Sequence, residues 1–169
     1  IQGNIVDLLY APLSASEVTI AISLAAVTRA VMIAVISIIT FTLLIDIEIT
    51  NYLTLISFTF LSSFILGNVG IIAGLWSEKF DNMATVTNFV IVPLSFLSGT
   101  FYTIDRLPSF LQTISEFNPF FYMIDGFRYS FIGKADGSIT IGLIYLIILS
   151  FVTWFITYLL YKKGYKIKS

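Results

Sequence analysis

Four apolar segments divide this chain, about Val18 to Ile47, Tyr52 to Trp76, Met83 to Tyr102 and Ile139 to Tyr161. Each reaches or exceeds the ~20 residues a helix needs to cross the hydrocarbon core of a bilayer. Lipid offers no hydrogen bonds, so such runs must satisfy their own backbone, and a helix does so within one segment. Composition agrees: 11% of residues are charged, 57% are hydrophobic and mean hydropathy is +0.95, against about 25% charged in soluble domains. The expected fold class is all-α, one polytopic membrane helical bundle over residues 1–169. It has four transmembrane helices, a short cytoplasmic amphipathic helix within 1–17, two short outer re-entrant or interfacial helices within 103–138, and a basic tail at 162–169.

The segments between and inside the spans carry the detail. Ile5, Leu8 and Leu9 recur at helical spacing with Asn4 and Asp7 between them, an amphipathic pattern that suits either an interfacial helix on lipid or a docking helix for a partner. Pro12 ends it. Ser14 and Glu17 then form a capping-box pattern that starts a new helix. Arg29 interrupts the first apolar run. A guanidinium at mid-bilayer costs roughly 3 kcal/mol, so Arg29 is read first as a snorkelling anchor near an interface, with the membrane proper from about Ala30 to Ile47, and alternatively as a charge facing a bundle cavity. Asp46, Glu48 and Asn51 make a short acidic turn.

In the second span Gly67, Gly70 and Gly74 offer close helix approach, the last two as a GxxxG pair. Asn68 beside them either bonds across to another helix or contacts a transported molecule. The third span holds Asn88, Pro93, Ser95 and Ser98. Pro93 predicts a kink. Asn68, Asn88 and Ser95 are the candidate pathway residues.

From Phe96 to Gly133 the chain stays aromatic but is cut by Pro108 and Pro119 and carries Asp105, Arg106, Glu116, Asp125 and Arg128. It is too polar and broken to span, and too apolar for an ordinary loop. The pattern predicts one helix ending near Phe117 and a second capped by Asn118 with Pro119 at its first position. On the second, Phe120, Ile124, Phe127 and Phe131 share a face, and Asp125 and Arg128 stand one turn apart. That pair reads as a structural ion pair or as part of an outer gate. The tail carries Lys162, Lys163, Lys166 and Lys168, so the positive-inside rule puts it in the cytoplasm, with residues 1–17 on the same side and 103–138 outside.

Several chemistries are excluded. The chain has no cysteine and no histidine, which removes disulfides, thiol nucleophiles, Cys/His zinc sites and imidazole bases. Gly133-Lys134 lacks the remainder of a phosphate-binding loop. No paired intramembrane aspartates and no repeated polar filter occur. Net charge is -1, so nucleic acid is not an expected partner. The chain reads as neither an enzyme nor a cofactor protein.

The run FLSGTFYTIDRLPSFLQTISEFNPFFYMIDGFRYSFIG, with its order FLSG, F-Y, LP, NP and GFRY before one last span, resembles the permease subunits of type-2 ABC exporters, relatives of drug, lipid and polysaccharide exporters. The upstream GNIVDLLYAPLS resembles the cytoplasmic segment before that family's third span. The resemblance implies six spans with both termini in the cytoplasm, this chain supplying the last four and two lying before Ile1. It implies a bacterial inner-membrane location, a second permease copy as homodimer partner, and an ABC ATP-binding subunit that hydrolyses the ATP. Residues 3–14 would match the coupling helix, with Ile5, Asp7, Leu8 and Leu9 on the ATPase; Asp125 and Arg128 would brace the outer gate. Transport would proceed by alternating access. The rival reading is a non-transporting membrane scaffold or assembly subunit.

Overall fold

The computed structural model describes residues 13–45, 48–77, 80–100 and 107–164. Helices account for all regular structure among them: α1 (Ala15–Leu44), α2 (Tyr52–Trp76), α3 (Phe80–Val86), a π-helical turn (Thr87–Ile91), α4 (Val92–Phe96), α5 (Ser109–Phe117), α6 (Pro119–Ile132) and α7 (Ile139–Lys162). Three of them, α1, α2 and α7, are long and apolar enough to cross a membrane.

Helix α1 starts where the capping pattern places it. The Ser14 hydroxyl accepts the Glu17 N–H at 3.3 Å, and the Glu17 carboxylate accepts the Ser14 N–H at 2.7 Å, so two of the first turn's orphan donors are satisfied. The helix then runs unbroken for 30 residues to Leu44, about 45 Å at 1.5 Å per residue. Arg29 sits at the midpoint of this one continuous helix, because the apolar run on its amino side is as helical as the run beyond it.

The expected third span at 83–102 is shorter than anticipated. Helical pieces of 7, 5 and 5 residues run from Phe80 to Phe96, about 25 Å, below the ~30 Å of a hydrocarbon core. Pro93 explains the π-turn. It has no N–H for the Phe89 carbonyl and its ring crowds that carbonyl, so the helix widens and the Val92 N–H bonds back to Thr87. The helix stops at a left-handed Gly99 (φ 77°), with the Ser98 and Thr100 hydroxyls both donating to the Ser95 carbonyl.

Helix α2 is the hub. It packs on α1, α6 and α7, and α7 also packs on α1 and α6. The core cluster is Phe58 and Ile65 of α2, Met123 of α6 and Leu146 of α7. Glycines admit close contacts at three seams: the Phe58 ring lies where a Cβ on Gly126 would sit, Tyr122 covers Gly142, and Ala26 Cβ comes within 2.8 Å of the Cβ position at Gly67.

The remaining interior is largely hydroxyl. Thr19, Ser23, Ser130 and Thr157 are fully buried, each donating one turn back to its own helix. Large apolar side chains such as Ile36, Leu43, Leu53, Ile56 and Phe151 face outward. That inversion suits lipid as solvent, where small residues let helices approach and large apolar ones cost nothing at the surface. The chain is a multi-pass membrane protein.

Candidate functional site

The polar features gather where α6 meets the other elements. Helix α6 is set at both ends. Its Asn118 N-cap accepts the Phe120 N–H at 3.0 Å, and the same side chain donates to the Leu94 carbonyl at 2.6 Å, so one buried amide caps α6 and ties it to α4. Its last turn leaves the Ser130 and Phe131 carbonyls without helical partners. These accept the Thr50 and Asn51 N–H groups at 2.9 and 3.1 Å and the Thr50 hydroxyl at 2.9 Å. The α1–α2 connection is thereby fastened to the carboxyl end of α6, and Gly133 (φ 70°) lets the chain turn away. From there α6 runs antiparallel beside α2 until Phe120 faces the same groove as Leu66, roughly 20 Å along α2.

The expected Asp125–Arg128 pair exists, 3.7 Å apart, but it is the lesser contact of both residues. Asp125 is 3% exposed and accepts the backbone N–H groups of Asp136 and Gly137 at 2.8 and 2.9 Å. Arg128 donates to the Asp136 carboxylate at 2.6 Å and to the Gly99 carbonyl. One guanidinium therefore bridges the α6–α7 turn and the end of α4. Asp136 and Gly99 are the members that sequence reasoning missed. Asp136 lies eight residues from Arg128 across a turn, beyond any within-helix spacing rule.

The other candidates fall as follows. Asn68 is fully buried in the α1–α2 seam, accepting from Ser23 at 3.2 Å and donating to the Phe64 carbonyl at 2.8 Å. Gly67 is in that seam; among the described residues no neighbouring element comes within 4 Å of the Cβ positions at Gly70 and Gly74. Asn88 is exposed on the π-turn, and Ser95 donates to the Ile91 carbonyl at 2.8 Å. These pathway candidates do not converge on one cavity. Ile5, Asp7, Leu8 and Leu9 lie outside the described residues, as do Asp46, Asp105, Arg106, Lys166 and Lys168.

Two adjoining grooves open on one flank. The larger, about 420 Å³, lies between α2 and α6, with hydroxyls from Thr59, Ser62 and Ser63 against Leu66, Phe120 and Phe127. The smaller, about 360 Å³, lies between α1 and α6 and shares Phe127. The stripe Phe120, Ile124, Phe127, Phe131 thus lines grooves, while Phe121, Met123, Asp125, Gly126 and Ser130 form the buried face of α6.

Comparison with known proteins matches residues 1–132 to the ABC-2 type transporter family model. The chain is also similar to the inner membrane transport permease YadH of Escherichia coli strain K12, of E. coli O157:H7 and of Shigella flexneri. Each is 28% identical over 170 aligned positions, covering 99% of this chain and 66% of the relative, so the chain spans about two thirds of the length of these relatives. No solved structure gives a significant match. With a hub of apolar helices, a helix hairpin fastened alongside it and a family match over most of its length, the chain belongs to the ABC-2 type transporter family.

Proposed function

We propose that the chain is the spanning part of a permease subunit of an ATP-binding-cassette exporter in the bacterial inner membrane. It moves its substrate by alternating access and is driven by a separate ATP-binding subunit. The observation that carries this reading is the ABC-2 family match over residues 1–132; the printed description of the YadH relatives as inner membrane transport permeases supports it. The fold is compatible with the mechanism. Alternating access needs elements that move as bodies between two arrangements. Here α1, α2, α6 and α7 share one packed core, whereas α3 and α4 touch it at few places.

In this reading residues 1–17 and the lysine-bearing tail face the cytoplasm, and α5 and α6 form a hairpin re-entering from the outer face. Short helix ends at membrane depth are tolerated when protein satisfies them, as Asn118 and Ser115 do here by bonding the Leu94 and Leu97 carbonyls. The Arg128 bridge braces the outer gate. Ile5, Asp7, Leu8 and Leu9 dock on the ATPase, and a second copy completes a homodimer.

The test is reconstitution of the full-length protein with its ATP-binding subunit in vesicles. Leu8→Ala with Leu9→Ala is expected to leave insertion intact and to lower transport per ATP hydrolysed at least tenfold. Unchanged coupling removes the docking assignment; failure of any ATPase to co-purify favours the scaffold reading.

A further inference from the structure

We propose that the cavity between α5, α6 and the turn into α7 is a binding site for an alkylammonium group, an amine head on a small apolar body. The site goes beyond the permease reading above and needs neither transport nor a second subunit.

The cavity, about 350 Å³, is lined by Glu116 of α5, Phe121 and Tyr122 of α6, Asp136 and Ser138 of the turn and Ile141 of α7. Its volume lies in the ~300–1,000 Å³ range of small-ligand sites. The grooves beside Phe127 have no carboxylate in their walls; here two meet, and the walls supply no cation. Glu116 is exposed and forms no ion pair among the described residues. It stands in the last turn of α5, which holds no basic side chain, so its charge adds to the negative end of the helix dipole. Asp136 gives one carboxylate oxygen to Arg128 at 2.6 Å, and its other oxygen makes no hydrogen bond among the described residues.

Depth makes this deficit of positive charge costly. The carbonyl of the next residue, Phe117, accepts the Tyr145 hydroxyl at 2.9 Å. Tyr145 lies six residues into the membrane-length α7, about 9 Å from its start, where Ile144 and Ile148 face outward. A carboxylate at membrane depth is retained where it pairs or faces a polar cavity or a ligand. Its charged neighbour in this cavity is another acid, so the missing member is a cation from outside the chain.

The walls select the kind of cation. Among the described residues no group of three His, Cys, Asp or Glu side chains could hold a metal ion. Instead the Phe121 and Tyr122 rings, 5.0 Å apart and tilted by 56°, stand with Ile141 beside the acids. The Phe121 ring rests against Gly137, 2.9 Å from where its Cβ would be, so the aromatic wall and the acidic turn are held together. Aromatic faces attract organic ammonium groups, and carboxylates accept their N–H donors in charge-assisted bonds.

The test uses the full-length protein in phosphatidylglycerol nanodiscs, which hold no amine lipid, with hexylammonium, hexanol and magnesium chloride as probes and thermal stability as the readout. Hexylammonium should protect saturably, and hexanol and magnesium should not. Glu116→Gln should raise its half-saturating concentration at least about tenfold, the effect of losing one hydrogen bond to a charged group. Ile141→Trp, which fills the cavity and keeps both acids, should weaken protection as well, and Tyr122→Phe, which keeps the ring, should retain it. Adding phosphatidylethanolamine separates two sources of the amine: competition with hexylammonium assigns the site to a lipid headgroup, and no competition assigns it to a soluble amine, both in keeping with the site. Equal protection by hexanol, or an unaltered response in Glu116→Gln, would overturn the proposal. So would protection by magnesium that Glu116→Gln abolishes, since the site would then hold a metal ion. Should Glu116→Gln not fold, full protection of Ile141→Trp would overturn the proposal in its place. No arm contains the ATP-binding subunit, so a failure of the permease reading would leave these results unchanged.

Discussion

Asp125 does most at the scale of single side chains. Its carboxylate, 3% exposed, is the acceptor for two consecutive backbone N–H groups at the α6–α7 turn, and each hydrogen bond to a charged group contributes about 1.5–3 kcal/mol. Asp125→Ala would orphan both donors and leave Arg128 with Asp136 as its one carboxylate partner among the described residues, beside the Gly99 carbonyl. The expected loss is about 3–5 kcal/mol, the range for breaking a buried charged contact, read as a fall in detergent-solubilised thermal stability. Arg128→Gln should cost less, because Asp136 is 20% exposed and can turn to water. If Asp125→Ala were neutral, the turn would not depend on that carboxylate. Gly126 gives a steric counterpart: the Phe58 ring occupies the space of its missing Cβ, so even Gly126→Ala must displace a core aromatic.

At the scale of elements, two features follow from single residues with backbone consequences. Asn118 serves α5, α6 and α4 at once, since α5 ends at it, α6 begins on its side chain and its amide donates to Leu94. Asn118→Ala should remove about 1 kcal/mol of capping and about 1–3 kcal/mol for the unsatisfied carbonyl. Asn118→Asp would keep the cap and lose the donor, so the two variants separate the contributions in a thermal or denaturant titration. The π-turn is the second feature. Pro93→Ala returns an N–H to the helix and should let Thr87–Ile91 relax to α geometry, rotating Asn88 relative to Val92; cysteine accessibility at position 88 would change with it. An unchanged accessibility pattern would mean that packing, and not Pro93, sets the turn.

At the scale of the whole molecule, the determining relation is between α6 and α2. Fastened to Thr50 and Asn51 at one end and reaching Leu66 at the other, α6 extends over more than half of α2. With the membrane reading proposed above, Ser109 and Ser169 lie in opposite compartments. Single-cysteine labelling from each side of sealed vesicles checks this, and labelling of both from one side would dismantle the topology and the outer-gate role of Arg128 together.

The sequence by itself determined which segments are helical and where several of them begin and end. Apolar runs that must satisfy their own backbone in lipid can only be helices, and the Ser14–Glu17 box and the Phe117–Asn118–Pro119 break are local stereochemistry set by one to four residues. Partnership was legible only in part. Asp125 and Arg128 were visible as neighbours because helical spacing brings them one turn apart, while Asp136 and Gly99 meet Arg128 through tertiary packing that no spacing rule encodes. The same holds for the α1–α2 seam, where the Ala26–Gly67 and Ser23–Asn68 contacts fix a register that neither helix encodes by itself. The tertiary structure also decided the faces of α6, because in an apolar solvent the aromatic stripe gains nothing from burial and the interior goes to residues small enough to pack or polar enough to bond.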